Sequence, residues 1–131
     1  MPVHQALWHH PGVAPSVVIV DDHPGFRAQA SQLLKAAGYD VVASCPDGRS
    51  ALDAIARLRP DVVLLDVQLP DIDGFRVMAE LDGGSEGPAV VLISSREAAD
   101  YGARVGRSGA AGFITKGELS ARSLAEVVSR R

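Results

Sequence analysis

Short, nearly unbroken apolar runs recur along this chain, and most of them stop on a chemically active group. Residues 16–20 (SVVIV) run into Asp21-Asp22, 61–65 (DVVLL) into Asp66, 88–93 (PAVVLI) into Ser94, and 111–115 (AGFIT) into Lys116. A weaker run, DVVASC, fills 40–45. A strand with one wet face alternates apolar and polar residues. Runs without alternation mark strands covered on both faces.

Between the runs, apolar residues return at helical spacing. Phe26, Ala30, Leu33, Leu34 and Ala37 do so after Pro24 and before Gly38, the expected start and stop punctuation. Asp47 is placed to cap a second helix carrying Ala51, Leu52, Ile55 and Leu58. Gly74 to Leu81 predicts a short third helix. Ala98 to Val105 predicts a fourth, weakened by Gly102 and Gly106. Glu118 to Ser129 predicts the last. Five strands alternating with five helices make an α/β fold, with a parallel sheet sandwiched between helices and right-handed crossovers.

The chain has 131 residues, the size of one domain, and aromatics make up only 5%, so the core must be aliphatic. We read 1–15 as an irregular extension and 16–131 as the domain. The extension holds His4, His9 and His10 without a nearby Cys or carboxylate, a poor metal set. A net charge of -3 and no long basic run argue against nucleic-acid contact. No apolar run approaches the roughly 18 residues of a membrane span. A lone Cys45 and no signal-peptide pattern point to the cytoplasm.

In an open parallel sheet, ligands bind beyond the carboxyl ends of the strands. That edge here collects Asp21, Asp22, Asp66, Ser94 and Lys116. A single Asp after a strand is usually a turn former or a cap; five such groups on one rim are hard to obtain from turn chemistry. Clustered carboxylates raise one another's pKa, and a divalent cation relieves the conflict. Oxygen-only donors in small number suit Mg²⁺. Such an ion and a Lys ammonium form a clamp for a phosphoryl group, and a carboxylate within it can act as nucleophile. Asp66, on the central strand, is the best candidate, with Ser94 placed to bond a phosphoryl oxygen. Only Lys35 and Lys116 among 13 basic residues are Lys, which also draws attention to Lys116.

Taken in order and with their spacing, IVDDHP (19–24), LLDVQLPDIDGF (64–75), VVLISS (90–95) and GAAGFITKGEL (109–119) resemble a response-regulator receiver domain, and within that family receivers of the NarL/FixJ type. The resemblance covers about 16–129. It implies a flavodoxin-like, doubly wound (βα)5 fold with strand order 2-1-3-4-5. It implies that Asp66 is phosphorylated by a histidine kinase, a phosphotransfer protein or a small phosphodonor. Asp22 would bind Mg²⁺ directly, Asp21 mainly through water, and Gln68 through its backbone carbonyl. Ser94 would be the switch hydroxyl, Phe113 the rotating aromatic, Lys116 the phosphate-binding lysine. Gln68 and Arg96 would tune dephosphorylation. Phosphorylation would change the face formed by the fourth helix, fifth strand and last helix, for a protein partner or a homodimer. The domain would be a signalling module, not an enzyme acting on other molecules.

Gly117 stands where many receivers have Pro, and Ser95 where many have Ala or Gly. A NarL/FixJ-type regulator also carries a helix-turn-helix, which this sequence lacks, so a stand-alone receiver or a piece of a longer regulator is expected. Two other readings remain open here. One is a pseudo-receiver that is never phosphorylated. The other is a haloacid-dehalogenase-like phosphatase, which needs a second Asp two residues after its nucleophile; Asp71 and Asp73 have that mutual spacing, but Gln68 occupies the required place after Asp66.

Overall fold

The computed structural model describes residues 14–81 and 87–130. The histidines at 4, 9 and 10, and nearly all of the expected extension, lie outside them. The elements are β1 (Ser16–Val20), α1 (Pro24–Ala36), β2 (Asp40–Cys45), α2 (Gly48–Leu58), β3 (Val62–Asp66), α3 (Gly74–Glu80), β4 (Ala89–Ser94), α4 (Arg104–Arg107), β5 (Gly112–Thr115) and α5 (Ala121–Ser129). All strand pairs are parallel, in the order β2-β1-β3-β4-β5.

The unbroken apolar runs have the expected cause. Val17, Ile19, Val62, Leu64, Val91 and Ile93 face one layer, with Leu34 of α1 and Leu124 of α5. Val18, Val20, Val63, Leu65, Val90 and Leu92 face the other, with Ala51 and Ile55 of α2 and Val77 of α3. The inner strands β3 and β4 are buried at every position, whereas edge strand β2 alternates.

Local chemistry sets the helix starts. Asp47 accepts the Ser50 N–H, Asp73 the Arg76 N–H and Ser120 the Ser123 N–H. Asp71, from the loop after β3, reaches across to accept the Gly48 and Arg49 N–H groups, both at 2.8 Å. Asp71 and Asp73 are therefore caps, and the spacing that suggested a phosphatase acid has a structural use.

Two helix assignments need correction. The stretch 98–105 is not one helix: Ala98–Tyr101 is a 3-10 turn, Gly102 breaks it at φ 60°, and α4 is a single turn. The paired glycines at 102 and 106 do more than weaken a helix; Gly102 takes a left-handed φ that ends it. The last helix begins at Ala121, because Ser120 caps it and Lys116–Glu118 forms a separate 3-10 turn.

Gly74 fixes how closely α3 sits under the end of β3. A Cβ there would lie 2.6 Å from the Asp66 carbonyl oxygen and 2.9 Å from the Val67 Cα. Backbone cannot yield as a side chain can. We expect Gly74→Ala to cost about 1–3 kcal/mol in urea denaturation, the usual penalty of overpacking.

Candidate functional site

Parallel register delivers the reactive groups to one edge. Asp66 pairs with Ile93, and Ser94 with Thr115, so the ends of β3, β4 and β5 lie side by side, with Lys116 next after Thr115. Asp21 follows β1 directly, its N–H held by the Cys45 carbonyl at 3.0 Å. Asp21 and Ser94 are fully buried and Asp66 is 3% exposed; among the described residues they are the only buried polar or charged ones.

Lys116 joins the two buried acids. Its Nζ donates to Asp66 Oδ2 at 3.0 Å and lies 2.5 Å from Asp21 Oδ2. That second contact is a tight ion pair, so the buried Asp21 carboxylate is held by the ammonium on Oδ2. The ammonium also sits 4.7 Å from the Phe26 ring centre, a cation–π contact that shields it further. Asp66 Oδ1 accepts the Gln68 N–H at 3.0 Å. Asp21 Oδ1 accepts the His23 N–H at 2.8 Å. The His23 ring Nδ1 lies 3.2 Å from Asp21 Oδ1 and 3.1 Å from Asp22 Oδ1.

Burial is the strongest influence on Asp66. It pushes the carboxyl up to about 6, against the Gln68 N–H and the Lys116 ammonium, with the Asp21 charge adding to the rise. Asp21 is also penalised by burial, but Lys116 and the His23 N–H outweigh this and hold it below the ordinary carboxylate value. For Lys116, burial opposes the charge, yet the two carboxylates prevail and raise its pKa. One ammonium thus serves two buried carboxylates, and Asp66 is the less compensated of the pair.

Asp21, Asp22, His23 and Asp66 each offer a ligand atom within 4.8 Å of the others. Oxygen donors predominate, and three carboxylates share the single Lys116 ammonium, so the cluster is short of positive charge. This donor set fits a hard divalent cation.

Ser94 stands on the rim, but its hydroxyl is already engaged. It lies 2.7 Å from the Tyr101 hydroxyl and accepts the Arg96 N–H at 3.0 Å. Phe113 is partly buried, its ring centre 6.0 Å from that of Tyr101, which in turn meets Phe75 edge-on at 5.6 Å. Arg96 and Gln68 are exposed beside the rim. Lys116 and Gly117 are joined by an ordinary trans peptide. Sequence reasoning missed Tyr101, Phe26 and His23. Of these, only His23, adjacent to the acid pair, left a signal in the sequence.

Comparison with known proteins agrees with this geometry. Residues 17–129 match the response regulator receiver domain family, and the chain belongs to it. It is 35% identical to the Fimbriae Z protein of Salmonella typhimurium, over 77% of this chain and 49% of that protein. It is 30% identical to the DNA-binding transcriptional activator EvgA of Escherichia coli, over 79% of this chain and 50% of that one. The chain therefore spans about half the length of these relatives. Among solved structures, the signal receiver domain of NarL from Mycobacterium tuberculosis superposes with a TM-score of 0.78 at 32% identity, covering 90% of this chain and 98% of that one. A chemotaxis response regulator of Vibrio cholerae gives 0.76 at 26% identity, covering 90% and 98%. The protein is a receiver domain of two-component signal transduction, with a flavodoxin-like fold. No helix among the described residues is long and apolar enough to cross a membrane.

Proposed function

We propose that Asp66 is the phosphoacceptor. The carrying observation is a nearly buried carboxylate at the end of the central strand, bonded by Lys116 and only partly compensated. An Asp66 carboxylate oxygen attacks phosphorus on a phosphohistidine or a small phosphodonor, and the imidazole or other donor group leaves. Lys116 neutralises the phosphoryl oxygens while staying paired with Asp21. Asp21, Asp22 and Asp66, with the Gln68 carbonyl, are the groups that would hold Mg²⁺, Asp22 directly and Asp21 chiefly through water. The ion would supply charge neutralisation at the phosphoryl group. Ser94 serves as the switch hydroxyl, with Phe113 following it, and exposed Gln68 and Arg96 set the rate at which water reaches the acyl phosphate.

The chemistry acts on the protein itself, so its role is signalling rather than turnover of a substrate. A cytoplasmic sensor histidine kinase or phosphotransfer protein is the natural donor. Relatives of twice the length are named as transcriptional regulators, which supports a receiver whose phosphorylation governs such an output through protein contact or dimerisation at the α4–β5–α5 face.

Intact mass after incubation with acetyl phosphate and Mg²⁺ tests the reading. One added phosphate on the wild type, and none on Asp66→Asn or after Mg²⁺ is chelated, is the expected result. An unmodified wild type that also fails to bind beryllofluoride would leave a scaffold that never takes phosphate.

A further inference from the structure

Ser94 is fully buried, and its hydroxyl has two neighbours in the resting protein. It accepts the Arg96 N–H at 3.0 Å, and it lies 2.7 Å from the hydroxyl of Tyr101, which retains some exposure. A serine hydroxyl has one hydrogen to give. If Tyr101 donated to Ser94, that hydrogen would be left buried with no partner among the described residues, which is costly. With Ser94 donating to Tyr101, the buried Ser94 hydroxyl both donates and accepts, and the phenolic hydrogen turns toward solvent.

We infer that Tyr101 is a latch on the switch hydroxyl: in the resting protein it holds the single Ser94 hydrogen that a phosphoryl group on Asp66 must recruit. This rests on the reading of Asp66 as phosphoacceptor. Tyr101 acts on the reaction through Ser94 and is therefore a positioning residue. The exchange runs toward the phosphoryl group because a hydrogen bond to an anionic oxygen is roughly twice as strong as one between neutral hydroxyls. The latch still subtracts from the gain, so the domain resists switching until a phosphoryl group is present.

The same side chain tethers its segment to the sheet. The 3-10 turn Ala98–Tyr101 has no buried residue, and neither does α4. Gly102 at φ 60° uncouples the two. Tyr101 is the residue of that turn that reaches the core, its ring near Phe75 and Phe113 and its hydroxyl on Ser94. When Ser94 turns away, Tyr101 keeps only its ring contacts, and the turn's remaining polar tie to the sheet among the described residues is the exposed bond from Thr115 to the Glu97 carboxylate at 3.2 Å. Phosphorylation is thereby connected to the 98–107 surface by a route through Tyr101, in addition to any movement of Phe113.

The test is a double-mutant cycle of Tyr101→Phe and Ser94→Ala in the metal-free protein and in Mg²⁺ with beryllofluoride. Tyr101→Phe keeps the ring and removes the bond. We expect it to tighten beryllofluoride binding about fivefold, the scale of one net hydrogen bond, and to speed amide hydrogen exchange over 98–107 in the resting protein. Both effects should vanish in the Ser94→Ala background. Weaker or unchanged beryllofluoride binding by Tyr101→Phe overturns the latch, as does an equal change in both backgrounds, which would mean Tyr101 acts by packing. If the wild type binds no beryllofluoride, the phosphoacceptor reading fails. The latch is then judged on exchange alone, and unchanged exchange on removing the hydroxyl overturns it.

Discussion

Lys116→Met destabilises the metal-free protein at pH 7.5 by about 3–5 kcal/mol, the scale of breaking a buried ion pair by removing one partner. The substitution leaves Asp21 and Asp66, both essentially buried, without the ammonium that contacts each of them. Methionine replaces the stem but supplies no charge, so the loss is electrostatic. The pH dependence follows. Without Lys116 both carboxyl pKa values rise, that of Asp21 from below its ordinary value and that of Asp66 from above it, so the folded variant binds protons more readily than the folded wild type. The deficit must therefore shrink as pH falls and these groups become protonated. Asp66→Asn in the same chain should recover part of the loss, because only one uncompensated carboxylate remains. Urea denaturation of the four variants in chelator, at pH 7.5 and pH 5.5, gives the coupling directly. A loss below about 1 kcal/mol, the range of an exposed ion pair, would show that the rim is far better hydrated than its burial indicates.

How much of this was legible beforehand depends on whether the deciding physics is local. The apolar runs at 16–20, 61–65 and 88–93 could only be strands covered on both sides, and each ends where the structure ends it, within a residue. Since parallel strands all finish at one edge, knowing which residue followed each strand was enough to gather Asp21, Asp22, Asp66, Ser94 and Lys116 on a single rim. Strand order was not available that way; it came with the family resemblance. What stayed hidden was set by side chains meeting across the fold. Tyr101 lies seven residues after Ser94, yet it touches that hydroxyl only because Gly102 ends a 3-10 turn where helical spacing suggested a continuous helix. Phe26 lies on α1, and its contact with Lys116 depends on how that helix packs. Asp71 read as part of an acidic loop or a phosphatase motif, and its actual role, capping α2 from a distance of 23 residues, leaves no local trace.

Asp66→Asn should make the metal-free protein more stable at pH 7.5, by about 1–3 kcal/mol. Burial raises the Asp66 carboxyl from an unfolded value near 3.8 to about 6. Between these values the folded protein holds a proton that the unfolded chain has released, so stability from this group is present at low pH and falls as pH climbs through that window. Above about pH 6 the folded protein carries the charge at a cost, and at 1.36 kcal/mol per pKa unit the ceiling is roughly 3 kcal/mol. Asparagine has nearly the same shape and can still accept the Gln68 N–H, while Lys116 keeps Asp21. Denaturation in chelator should therefore show the variant ahead at pH 7.5 and the gap closing toward pH 4.5. Adding Mg²⁺ should stabilise the wild type more than the variant, because the cation relieves the charge that the substitution has already removed. If Asp66→Asn is instead the less stable protein at pH 7.5, its bond to Lys116 outweighs its burial, and the carboxylate is held by its partners rather than against them. In the expected case, the Asp66 carboxylate is maintained at a cost to the fold, and the proposed phosphoacceptor role, which requires an ionised, nearly dry carboxylate at this position, accounts for it.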